Sequence, residues 1–244
     1  TAPAAQVVRT PAAPASANDV ATKGTFPGSF HIPGTDTSVK IGGYVKLDAI
    51  EDMGTGSYNQ SYAHFYSIPL NNTAQAHQSA ETIFGAQQSR VNFETRTPSS
   101  LGEIKTFIEG DFYGAAATNG NVSNYGFELR HAYGSVGSPA TGQLLAGQTW
   151  SNFMDMAAMP ESLDYIGPAG NIFVRQPQIR YTKAFGPVTL SGSVEVAADF
   201  GQATSQNSLD TVTNTSTTVT TAGVSRVEMP DIVAHAQYNY TKAD

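Results

Sequence analysis

A period of two constrains this chain more than any other feature in it. Between Gly102 and Gly114, Ile104, Thr106, Ile108, Gly110 and Phe112 alternate with Glu103, Lys105, Phe107, Glu109 and Asp111. Successive side chains of an extended strand point to opposite faces. One face of this segment is therefore apolar and the other carries four charges. Alternation alone admits two solutions, a strand of a water-soluble sandwich or a strand crossing a membrane around an aqueous interior. The pattern recurs over residues 39–50, 88–97, 127–135, 143–150, 176–183, 188–197 and 232–240. That makes about eight strands of roughly ten residues, the length a tilted strand needs to cross a bilayer.

The connections choose between the two. Residues 51–87, 114–126, 151–175 and 198–231 are long connections, whereas 98–102, 136–142 and 184–187 are short. Long and short alternate throughout. Outer-membrane barrels have tight periplasmic turns at one rim and long extracellular loops at the other, which produces this alternation. A Greek-key sandwich has no reason to show it. The short connections also hold turn formers, Thr97-Pro98-Ser99-Ser100 and Phe185-Gly186-Pro187, where proline and glycine supply the backbone angles of a reversal.

Composition is consistent with that choice. No run of apolar residues is long enough for a transmembrane helix, and the mean hydropathy is slightly negative, as expected when half of each strand faces water. The chain has no cysteine, which excludes disulfides and thiolate metal sites. A net charge of −7 argues against nucleic acid as a partner. The 23 glycines and 10% aromatic residues suit tight turns, close strand packing and interfacial girdles. Residues 1–22 are rich in alanine and proline and cannot build a core, so residues 1–24 are expected to form a linker and 25–244 the barrel. The Thr-rich stretch 205–221 is either a flexible loop or a β-hairpin. Threonine and valine favour the hairpin.

Longer strings then resemble a family. Residues 27–46 (PGSFHIPGTDTSVKIGGYVK), 90–98 (RVNFETRTP), 102–114, 129–134 (LRHAYG), 144–154 (LLAGQTWSNFM) and 173–181 (FVRQPQIRY) are similar to the DcaP-type trimeric porins of Gram-negative outer membranes. The resemblance covers about residues 28–240. It implies a sixteen-stranded homotrimeric barrel in the outer membrane that admits small anions such as dicarboxylates, with a periplasmic N-terminal extension. The helical part of that extension has no counterpart here, which leaves residues 1–24 as a periplasmic linker. Eight strands are half of sixteen, and Tyr240 is followed by Thr-Lys-Ala-Asp244 rather than by a terminal aromatic. The fold expected is all-β: an antiparallel up-and-down transmembrane β-barrel, of which this chain is the N-terminal half.

Energetics select the register of the wall. An Arg or Lys on the lipid face at mid-membrane costs about 2–4 kcal/mol, so Lys46, Arg90, Arg96, Lys105, Arg130 and Arg180 are expected to face the lumen, beside Asp48, Glu94, Glu103, Glu109, Asp111, Glu128 and Glu195. The signs nearly balance. Either the charges pair across strands and solvate the wall, or some guanidinium groups form a belt at the constriction, where each fork matches a carboxylate. Arg130 and Arg180 lead the second reading because no acid on their own strands flanks them closely on the short-turn side. The connection 151–175 carries Asn152, Asp155, Glu161, Asp164 and Tyr165 with Phe153, Met154, Met156, Met159 and Ile166, too apolar a set for a loop lying in water. It is expected to fold into the bore and set acids opposite the basic wall. Packing over the barrel mouth or against a neighbouring subunit is the alternative.

No catalytic, metal or cofactor site is expected. His31, His64, His77, His131 and His235 are scattered without ligand spacing. A membrane phospholipase would need serine and histidine on the lipid-facing wall. There His131, read in the register of Leu129 and Tyr133, is better explained by packing against a neighbouring subunit. The functional expectation is a porin for small hydrophilic solutes, favouring small anions. The rivals are a non-conducting structural barrel and a surface-binding β-sandwich.

Overall fold

The computed structural model describes residues 22–53, 58–59, 62–63, 71, 75–77, 81–114, 126–159, 173–196, 204–210, 215–221 and 229–240. In chain order the strands are β1 (Phe30–His31), β2 (Ser38–Tyr44), β3 (Asp48–Asp52), β4 (Tyr58–Asn59), β5 (Tyr62–Ala63), β6 (Glu81–Gly85), β7 (Arg90–Ser99), β8 (Gly102–Gly114) and β9 (Gly126–Ser138). After these come β10 (Gly142–Trp150), β11 (Arg175–Phe185), β12 (Val188–Glu195), β13 (Thr204–Asp210), β14 (Thr215–Thr221) and β15 (Asp231–Tyr238). Nine of them form one antiparallel sheet in the order β1-β2-β7-β8-β9-β10-β11-β12-β15. Each long strand pairs with the next long strand in sequence, so the sheet is a meander. Among the described residues no helix is long and apolar enough to cross a membrane.

The two faces of the sheet differ in kind. Ile108, Ile179, Leu190 and Ile232 stand 50%, 61%, 45% and 81% exposed on one face. Leaving such a side chain in water forfeits about 1.5–3 kcal/mol each, so this face belongs against hydrocarbon. On the other face Asp111, Arg130 and Glu195 are at most 1% exposed. A single-layer sheet crowds one face in this way only by curling around it, which makes the polar face the concave one. The sheet is not closed. β15 pairs with β12, and among the described residues nothing pairs with its far edge or joins it to β2, as expected of part of a larger barrel.

Several boundaries differ from the sequence reading. The segment 39–50 is not one strand. It breaks at Val45–Leu47, and β3 continues the hairpin against β6, which lies in what reads as a loop. Gly43 (φ 141°) lies so close to β7 that a Cβ there would meet the Arg90 carbonyl oxygen at 2.2 Å. Across the break, Ser89 Oγ accepts from the Lys46 N–H at 3.0 Å and donates to its carbonyl at 3.2 Å. The turn expected over Thr97–Ser100 is tighter: β7 runs through Pro98 to Ser99, leaving Ser100 and Leu101 as the reversal. The Thr-rich stretch forms the β13–β14 hairpin.

A bulge re-aims β9. Glu109 pairs with His131, yet Gly110 pairs with Leu129, leaving Arg130 as the extra residue. Two residues opposing one swing both side chains toward the same side. This overturns the lipid-facing placement of His131 and Tyr133. The His131 ring lies 6.0 Å from Phe107 and its Nδ1 is 3.0 Å from Thr149 Oγ1, on the polar face, where Tyr133 also stacks at 5.8 Å on Phe107. At the rim of the short turns, residues 22–37 fold back on β2. Thr25 N–H donates to Ser38 Oγ at 3.0 Å, Thr37 Oγ1 is 2.9 Å from Thr97 Oγ1, and the buried Phe26 ring lies 4.4 Å from the Arg96 guanidinium.

Candidate functional site

The polar face is built from rows of cross-strand neighbours. Ser38, Arg96, Lys105, Ser135, Leu145, Arg180, Ser193 and Val233 are successive partners across the sheet. The next row, toward the long connections, runs from Lys40 through Glu94, Phe107, Tyr133, Gly147 and Gln178 to Glu195. All six cations read as lumen-facing occupy this face or, for Lys46, the break beside it. They are not equivalent.

Five are already neutralised. Lys46 Nζ lies 2.8 Å from Asp48 and also reaches Gln88. Arg96 sits 2.7 Å from Glu94 and 3.5 Å from Glu103, and Lys105 shares Glu94 at 3.4 Å. Arg130, with its side chain 2% exposed, binds Glu109 at 3.1 Å and Asp111 at 2.5 Å, and Arg90 meets the same two acids at 3.7 and 3.9 Å. The acids that hold Arg130 come from β8. A same-strand search for flanking acids does not see them. Enclosed in this way, Arg130 has no fork to offer a solute.

Arg180 is different. Among the described residues it makes no ion pair. Its cross-strand partners are the neutral Leu145 and Ser193. Glu195 attracts it electrostatically from beyond ion-pair distance. A half-buried guanidinium with its donors free is the group on this face best able to bind a carboxylate.

The connection after β10 turns inward at once. Ser151 and Asn152 are 5% and 3% exposed. The Asn152 N–H donates to Glu195 Oε1 at 2.8 Å, and its side-chain Oδ1 accepts from Ser191 Oγ at 2.7 Å. Met154 is buried, and Asp155 caps the short helical turn Met156–Ala158 by accepting from the Ala157 N–H at 2.9 Å. Glu161, Asp164 and Tyr165 lie outside the described residues.

The DcaP outer membrane protein family matches residues 16–229. The chain belongs to the DcaP family. The crystal structure of the outer membrane channel DcaP of Acinetobacter baumannii is similar in fold, with a TM-score of 0.58 at 22% identity. The similarity covers 84% of this chain and 49% of that one, so the chain spans about half the length of the solved channel. No curated protein matches it.

Two residues of this DcaP-family wall escape the sequence reading. Lys40 is the cross-strand neighbour of Glu94 on the polar face; it shares the polar register of the segment 39–50 but is not among the six cations expected to face the lumen. Arg175 binds Glu128 and lies 4.9 Å from the centre of the Trp150 ring. Starting that strand at Gln176 leaves Arg175 in the loop. Its position directly opposite Trp150, the one tryptophan, is the signal that could have found it.

Proposed function

We propose that the chain supplies part of the wall of an outer-membrane porin, through which small hydrophilic solutes diffuse and small anions such as dicarboxylates are favoured. The observation that carries this reading is Arg180, a half-buried cation of the concave face that makes no ion pair among the described residues. With five of the six cations held by acids and Glu195 buried beneath the surface, Arg180 is the cation whose donors remain open to a solute, and a low-dielectric wall strengthens its pull on an anion in the bore. Lys46, Arg90, Arg96, Lys105 and Arg130 line the same face as solvating ion pairs, and the connection beginning at Ser151 narrows the passage. Assembly as a homotrimer is inferred from the family resemblance alone. A periplasmic N-terminus is supported by the contacts of residues 22–37 at the rim of the short turns.

The test is single-channel recording of the full-length protein in a planar bilayer. Discrete conductance steps with a reversal potential shifted toward the anion Nernst potential under a salt gradient support the reading. A folded, inserted protein without conductance would establish the rival, a barrel plugged by the inward connection.

A further inference from the structure

Glu195 is the acid on the concave face that the ion-pair network leaves out. Among the described residues Glu94, Glu103, Glu109, Asp111 and Glu128 each meet a cation within 4.0 Å, whereas Glu195 meets none. It is also 1% exposed. Burying a carboxylate without a counter-ion is costly unless hydrogen-bond donors offset it. The donors it gathers are the Asn152 N–H at 2.8 Å and Ser193 Oγ at 2.7 Å, both on Oε1. Among the described residues Oε2 has no hydrogen-bond partner, and neither does Oε1 of Gln178, the cross-strand neighbour of Glu195.

What Glu195 holds is the base of the inward connection. Asn152 follows Trp150 of β10, and the adjacent strand is β11. A surface connection would rise from Trp150 and return to Arg175 directly. Instead Asn152 lies across β11 on the polar face. It bonds Glu195 and Ser191 of β12, and its Nδ2 donates to the Val233 carbonyl of β15 at 3.4 Å. Ser151 stays tied to the return strand through its N–H on the Val174 carbonyl at 3.1 Å.

We propose that Glu195 is the positioning residue of the constriction: by accepting from Asn152 it pins residues 151–159, the start of the connection after β10, to β12 and thereby sets the width of the bore. This rests on the porin reading above and adds to it the group on which the bore depends.

Three variants of the full-length protein test it in planar bilayers. Glu195→Ala removes the acceptor and should raise single-channel conductance about twofold, with a noisier open level, because the narrowest part of a pore dominates its resistance. Glu195→Gln keeps an acceptor oxygen for the Asn152 N–H and turns an amide NH₂ toward the unpartnered Gln178 oxygen. Its conductance should stay within about 20% of the parent, since an acceptor for the Asn152 N–H is preserved. A residue acting only through its charge would make the Gln and Ala variants alike, and that outcome overturns the proposal.

The chain has no cysteine, so Asn152→Cys with Ser191→Cys introduces one possible disulfide, at side chains that touch at 2.7 Å. In the Glu195→Ala background, oxidising this pair should restore the parental conductance and reducing it should release the rise. If Glu195→Ala does not fold, the cysteine pair in the parental background decides: a disulfide formed in the inserted protein supports the tether, and free thiols overturn it. Parental conductance in a folded Glu195→Ala also overturns it. A parent that conducts nothing defeats the porin reading, and disulfide formation then still reports whether the connection lies on β12.

Discussion

At the scale of single residues, Arg130 and Arg180 look alike in sequence and do opposite work in the structure. Each is a basic residue in a strand with polar neighbours, and each reads equally well as part of a guanidinium belt. The β9 bulge delivers Arg130 between Glu109 and Asp111, where it is a counter-ion, while Arg180 faces neutral partners. Their variants should therefore separate by readout. Arg130→Ala leaves a carboxylate at 0% exposure partly uncompensated, and removing one partner of a buried pair costs about 3 kcal/mol. The urea midpoint of the protein refolded into vesicles should fall accordingly, with little change in reversal potential for the fraction that folds. Arg180→Ala breaks no ion pair and should keep the parental midpoint within about 0.5 kcal/mol, while the reversal potential moves toward the cation side. Should Arg180→Ala leave the reversal potential where it was, the proposed anion preference does not originate at this residue.

At the scale of elements, the meander and its two-faced strands were legible because alternation of period two and the rhythm of loop lengths both survive in one dimension. The half-barrel was legible only through the resemblance, because eight strands are half of the sixteen that the DcaP-type porins imply. What was lost depends on pairing. A bulge adds one residue to one strand and is defined only relative to its partner, so nothing in Leu129-Arg130-His131 marks it, and the faces of His131 and Tyr133 were misassigned. The break at Val45–Leu47 was hidden because the alternation carries on through it, and Glu195 looked like one more lumen acid until its donor from Asn152 was seen. Glycines at close approaches are a further case. Gly147, at φ 131°, lies against β9 so closely that a Cβ would meet the Ala132 carbonyl at 2.3 Å. Gly147→Ala should cost about 2 kcal/mol through strain of this kind. The cost should appear as a lower refolding yield in lipid and faster amide exchange in β9 and β10 than in β7 and β8. Equal exchange in the two pairs would mean that the ladder gives way without penalty.

At the scale of the whole molecule, the sheet curls but does not close, and its outer face is apolar. A bare edge in hydrocarbon leaves backbone groups without partners at several kcal/mol each, so β15 in the full-length protein needs a further neighbour. Hydrogen exchange on the inserted protein should find the β15 amides that point away from β12 protected like those of β8. Rapid exchange at those amides would show that the sheet ends there. On the outer face, Ile108→Arg should lower stability in lipid by about 2–4 kcal/mol, measured as the shift in urea midpoint against the parent, and an unchanged midpoint would place that residue away from the acyl chains. The compensated inner wall carries a consequence of a different order. Ion pairs that cancel in place give the passage a hydrated lining without giving it a sign, so the sign is left to whichever uncancelled charge still reaches the water. A pore made this way can exchange one diet for another by a change at a single position, with the barrel that surrounds it left unaltered.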